Sequence, residues 1–111
     1  MMNKSELLNF EILPGARKFL KSIKNDKALQ GKFQSAIESL RLDPTLGESK
    51  KGDLAGISSL DIRHNKTNYE LAYRVKRLEN GDLLLIILAG TRENFYEDLK
   101  NYMKFSSRIK D

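Results

Sequence analysis

The stretch Asn80-Gly81-Asp82-Leu83-Leu84-Leu85-Ile86-Ile87-Leu88-Ala89-Gly90-Thr91-Arg92 decides the fold. Asn-Gly is a strong signal for a tight hairpin turn, because both residue types tolerate positive φ. The unbroken apolar run Leu83 to Ala89 that follows suits a strand covered on both faces, and so the interior strand of a sheet. It is also far too short to cross a bilayer, which takes ~20 apolar residues.

Working back from that strand, Tyr69, Leu71, Tyr73 and Val75 alternate with Glu70, Ala72, Arg74 and Lys76. Beyond a polar turn at Asn65 to Asn68, Leu60 and Ile62 alternate with Asp61 and Arg63. Period-two alternation predicts half-buried strands, here paired as a hairpin. Thr45 to Gly56 has no period and is rich in glycine and polar residues, so it reads as a loop entering the sheet, with Lys50 and Lys51 in it. Upstream, Leu29, Phe33, Ala36, Ile37 and Leu40 recur at helical spacing until Asp43-Pro44, where proline ends the ladder. Ala16, Phe19, Leu20 and Ile23 repeat that spacing before a break at Asn25-Asp26, which makes a helical hairpin. Phe10 and Ile12 precede Pro14-Gly15 and read as a short first strand.

On the other side of the deciding stretch, Gly90-Thr91 hands over to a last helix, with Thr91 as cap and Arg92 at its first position. Phe95, Leu99 and Tyr102 or Met103 form its apolar stripe, and Phe105 to Asp111 reads as a frayed end. The order is β-α-α-β-β-β-α. It predicts an α+β fold with a small, antiparallel-dominated twisted sheet of about four strands and a C-terminal helix.

Length and composition agree with one domain over 1–111: the chain has 111 residues and 40% apolar content, enough for one modest core. With no cysteine, a disulfide scaffold, a thiolate metal site and a cysteine nucleophile are all excluded. Met1 to Asn9 holds no apolar run of the secretory kind, so a cytoplasmic protein that keeps off membranes is expected. Twenty Lys+Arg against fifteen Asp+Glu give +5, which makes a polyanion the partner to test first. Six of the basic residues, with one acid, lie between Arg17 and Lys32 on the outer face of the helical hairpin.

Arg92 carries the most chemical information, because a cation at a helix start opposes the helix dipole and calls for compensation. A phosphate supplies it, since free helix amides and a guanidinium fork favour the same anion; pairing with Glu93 is the other solution. Tyr96 lies one helical turn on, and Arg74 is carried by the hairpin strand, so Arg92, Tyr96 and Arg74 form a candidate catalytic set. Lys50, Lys51, Arg63 and Lys66 surround it as candidate RNA-binding residues. Such a set suits RNA cleavage without a metal, which needs a base for the 2′-OH proton, cations for the phosphate and a proton source for the leaving oxygen. Crowded cations would depress a lysine pKa enough for it to serve as base. His64, the single histidine, sits in a hairpin turn and reads as an exposed polar residue. Glu93, Glu97 and Asp98 suit the dipole of the last helix better than a metal, and no cofactor motif is present.

The order of elements, together with Lys-Lys-Gly-Asp-Leu-Ala-Gly at 50–56, Tyr-Glu-Leu-Ala-Tyr-Arg-Val at 69–75 and Ala-Gly-Thr-Arg-Glu-Asn-Phe-Tyr at 89–96, resembles the RelE/ParE superfamily of bacterial toxins. The resemblance runs from about Phe10 to Met103. It implies a twisted sheet backed by the helical hairpin, and the toxin of a type II toxin–antitoxin pair whose partner is a cognate antitoxin. RelE-like members cut mRNA on the ribosome without a metal; ParE-like members poison DNA gyrase; a basic RNA-binding module without catalysis is a third reading. In the RNA-cutting branch Arg92 matches the arginine that stabilises the transition state. Lys50, Lys51, Arg63 and Arg74 match the cations that hold phosphate, and Tyr96 the residue of proton transfer or base stacking. The chain departs at Glu70, where RelE has an arginine, and at Leu60 and Ile62, which replace paired lysines.

Overall fold

The computed structural model describes residues 7–105. Strand β1 (Asn9–Ile12) leads into α1 (Pro14–Ser22) and α2 (Lys27–Leu42). Strands β2 (Glu48–Ser49), β3 (Ser58–His64), β4 (Thr67–Leu78) and β5 (Gly81–Thr91) follow, then α3 (Phe95–Phe105). They form one five-stranded sheet of order β1-β5-β4-β3-β2, parallel between β1 and β5 and antiparallel elsewhere. The predicted order holds, with one addition. The loop at Thr45 to Gly56 folds into two short 3-10 turns, Pro44–Leu46 and Gly52–Leu54, and between them the two-residue β2, which pairs with Ser58 and Ser59. Two residues carry no readable period, so the fifth strand is invisible to alternation.

Proline at the first turn starts α1, where its missing N–H costs nothing. Asp26 caps α2 by accepting from the Leu29 amide at 3.1 Å. The helical hairpin lies on one face of the sheet, where Phe33, Leu40, Leu71, Tyr73, Leu84 and Ile86 close a core. Phe19, Phe33 and Tyr69 meet there ring to ring, with centroids 5.4 to 6.1 Å apart. The opposite face packs on α3 through Ala72, Leu85, Ile87, Phe95 and Leu99. Leu84 to Ile87 therefore feed both cores in turn, which is the burial on both faces that the apolar run demanded.

Three sequence expectations change. Thr91 ends β5 rather than capping α3, and Arg92 stands in the turn before the helix, not at its first position. Asn94, at φ 62°, reverses the chain and delays the helix to Phe95. His64 is buried, with 9% exposure, and its Nε2 lies 3.8 Å from Asp26 Oδ1 at the start of α2. The packing of α2 over the end of β3 covers it. Of the frayed end read over Phe105 to Asp111, 106–111 lie outside the described residues, and Phe105 is the last residue of α3.

The loop that becomes β2 is fastened to the core by one hydroxyl. Tyr73 is 1% exposed; its Oη donates to the Pro44 carbonyl at 2.6 Å and accepts from the Gly47 amide at 2.9 Å. Tyr73→Phe strands both backbone groups and is expected to cost about 1–3 kcal/mol. Urea unfolding checks this, as a lower midpoint at unchanged slope.

Candidate active site

The face of the sheet under α3 carries a cleft of ≈ 240 Å³, lined among others by Gly47, Glu48, Lys50, Asp61, Arg92 and Tyr96. Four segments build it, with Asp61 supplied by β3. The loop around β2 brings in Lys50, the turn after β5 brings in Arg92, and the first turn of α3 brings in Tyr96. Gly47 permits the first approach, because a Cβ there would lie 2.7 Å from the Ser59 carbonyl oxygen.

Lys50 is drawn well into the cleft. Its Nζ donates to Tyr96 Oη at 2.7 Å, lies 3.2 Å from Glu48 Oε1, and sits 4.5 Å from the centre of the Tyr96 ring. Burial pulls the ammonium pKa down, but the bonds to Tyr96 and Glu48 outweigh it and hold Lys50 above the ordinary lysine value. Lys50 is thus a fixed cation, and the expectation of a lysine base made by crowding fails. The neighbours of Lys50 are a phenol and a carboxylate, not other cations.

Beneath these residues lies Glu70, the side chain that sequence reasoning put on the polar face of β4. It has no exposed surface. Tyr96 Oη donates to its Oε1 at 3.4 Å, Arg92 Nε stands 3.9 Å from its Oε2, and Oε2 has no hydrogen-bond partner. Asp61 is its direct cross-strand partner, and Ser59 lies two residues before Asp61 on β3. Burial first, then the Asp61 carboxyl, push the Glu70 pKa up to about 7, against the pull of Ser59 and Arg92. A carboxyl poised there changes protonation within the range in which enzymes work. Lys50, Tyr96 and Glu70 form a continuous donor-to-acceptor chain, and Arg92 flanks its buried end.

The expected site residues divide. Arg92, Tyr96 and Lys50 converge on this cleft. Lys66 lines a second, shallower cleft of ≈ 350 Å³ on the far side of Arg92, together with Asn68 and Glu93. Arg63 reaches the same region, donating to Asn68 Oδ1 at 2.9 Å, and the Asn68 carbonyl accepts from the Arg92 amide at 2.8 Å. Lys51 is exposed and Arg74 half-buried, and neither lines either cleft. Arg74 sits four residues from Glu70 along β4, opposite Leu85, which sets it away from Arg92. The carboxylate that faces Arg92 is Glu70, from the neighbouring strand, rather than Glu93 beside it in the sequence. Among the described residues no three His, Asp or Glu side chains are grouped to hold a metal, and no helix is long and apolar enough to cross a membrane.

Comparison with known proteins gives two findings. Residues 11–100 match the family model for the ParE-like toxin of type II bacterial toxin–antitoxin systems. The fold is similar to a chain in the crystal structure of the toxin–antitoxin complex RelBE2 from Mycobacterium tuberculosis, with TM-score 0.59 and 23% identity. That likeness covers 78% of this chain and 99% of the other. A search of curated proteins gives no match.

Proposed function

This chain belongs to the ParE-like toxins of type II bacterial toxin–antitoxin systems, and from that premise we propose that it halts translation by cutting mRNA on the ribosome. The observation that carries this reading is the Lys50–Tyr96–Glu70 chain beside Arg92 in one cleft. Arg92 and Lys50 hold the scissile phosphate and take up the negative charge that grows on it. Tyr96 Oη removes the ribose 2′-OH proton while passing its own to Glu70 Oε1. The 2′-oxygen attacks phosphorus, the bond to the 5′-oxygen breaks, and that oxygen takes a proton from water. The products are a 2′,3′-cyclic phosphate and a 5′-hydroxyl. A chain of this size encloses little substrate, so the ribosome supplies orientation. Lys66 and Arg63 steady the strand beyond Arg92, and Lys51 and Arg74 add only to the surrounding potential. The toxin works in the cytoplasm and is held inactive by an antitoxin whose acidic segment competes with RNA for the basic faces.

Tyr96→Phe keeps the ring and removes the relay. Cutting is expected to fall by about 10²-fold, in line with the loss of one proton-transfer group. Primer extension on mRNA under translation reads this directly; cutting at the wild-type rate would remove Tyr96 from the proton path.

One observation favours a second reading. Glu48 and Asp61 match Lys50 and Arg92 in number around the cleft, which weakens its pull on a polyanion relative to an all-cation site. A protein target such as DNA gyrase tolerates that balance better. Inhibition of gyrase supercoiling by the purified protein, with no RNA cut, would select it.

A further inference from the structure

Resting on the reading in which Glu70 accepts the proton, we infer that Asp61 is the positioning residue through which the buried Glu70 carboxyl returns that proton to solvent. Glu70 has no exposed surface, so a proton delivered through Tyr96 must leave by a neighbour before the next turnover. Ser59 and Asp61 face it from β3, Arg92 from the turn after β5, and Tyr96 from α3, with Lys50 behind Tyr96. Arg92 and Lys50 are cations that already hold their protons. Tyr96 is the way in, and Ser59 is itself 4% exposed. Asp61 alone of these is a proton acceptor that both faces Glu70 and reaches water: it is exposed, lines the cleft, and stands directly opposite Glu70 in the β3–β4 ladder.

The exit follows from that placement. The Glu70 carboxyl donates its proton to the Asp61 carboxylate opposite it, and Asp61 releases it to water in the cleft. Glu70 is left ionised and ready, with no change in oxidation state anywhere. Two carboxyl groups facing each other across a strand pair oppose joint ionisation, and Asp61 is one of the causes that push the Glu70 pKa up. Asp61 thereby sets the pH at which Glu70 works as well as the route by which it resets.

Two measurements test this. Carboxyl ¹³C NMR titration of the free protein, with the Glu70 signal assigned by its loss in Glu70→Gln, should show the Glu70 midpoint falling by about one pH unit in Asp61→Asn. Asp61→Glu should keep it near wild type. Multiple-turnover cleavage of mRNA on programmed ribosomes should slow in Asp61→Asn at low buffer concentration and recover several-fold on adding formate, a mobile proton acceptor. An unmoved NMR midpoint together with no response to formate, with Glu70→Gln inactive, overturns the role of Asp61 and leaves that of Glu70 standing. A Glu70→Gln protein that cuts as well as wild type overturns the underlying reading instead.

Discussion

Glu70→Gln is expected to make the protein more stable at pH 8 and to abolish most of its cutting. The two effects share one cause. The folded state holds the Glu70 pKa near 7, against an ordinary value of 4.5. Between those values the folded chain keeps a proton that the unfolded chain has lost. Stability therefore falls as pH rises through that window, and the full cost is present above about pH 7. A neutral amide escapes this cost, so the variant should gain about 2 kcal/mol at pH 8 and nothing at pH 4. In a domain of this size that raises the melting temperature by roughly 8–15 °C. Activity moves the other way, because an amide cannot take the proton from Tyr96; a loss of about 10³-fold is expected. For wild type the rate of cutting should climb with pH through about 7 as Glu70 ionises. A buried, unpartnered carboxyl oxygen that weakens the fold is the kind of local conflict that function maintains. Thermal melts at pH 4 and pH 8, run beside primer extension, read both effects; a variant no more stable at pH 8 than wild type would show that burial of Glu70 carries no cost.

Arg92→Ala should remove the cutting while leaving the fold alone. The Arg92 side chain is 58% exposed, and its nearest carboxylate oxygen, Glu70 Oε2, is 3.9 Å away, so little stability depends on it. Losing a preorganised donor aimed at developing charge costs about 10²–10³ in rate. Arg92→Lys should recover only part of this, since an ammonium lacks the fork that grips two phosphate oxygens. Equal melting temperatures with cleavage near wild type for Arg92→Ala would take Arg92 out of the mechanism.

The deciding stretch is readable because its chemistry leaves few solutions: seven apolar residues behind an Asn-Gly turn need cover on both faces, and β5 has it from the helical hairpin and from α3. Arg92 and Tyr96 are readable as partners because they are four residues apart at a strand-to-helix junction. Lys50 is readable only as one of many loop lysines, since its position depends on a two-residue strand and on the Tyr73 anchor. Glu70 is misread for a more specific reason. Period-two alternation says which residues share a face of a strand, but not whether a helix far along the chain covers that face. Ala72, two residues on, is fully buried on the same side of β4 by the same packing, and its small size leaves that equally hidden. The departure from the RelE pattern at this position is the available signal. His64 repeats the lesson, since a turn residue is buried when another element packs over it.

Whether the cleft of Arg92, Tyr96, Lys50 and Glu70 cuts RNA is tested most directly by primer extension on a defined mRNA, translated in a purified system with the wild-type protein added. New cuts inside codons are expected, and they should vanish for Arg92→Ala and Glu70→Gln. An uncut message, with gyrase supercoiling inhibited by the same preparation, would contradict an RNA-cutting role for the cleft.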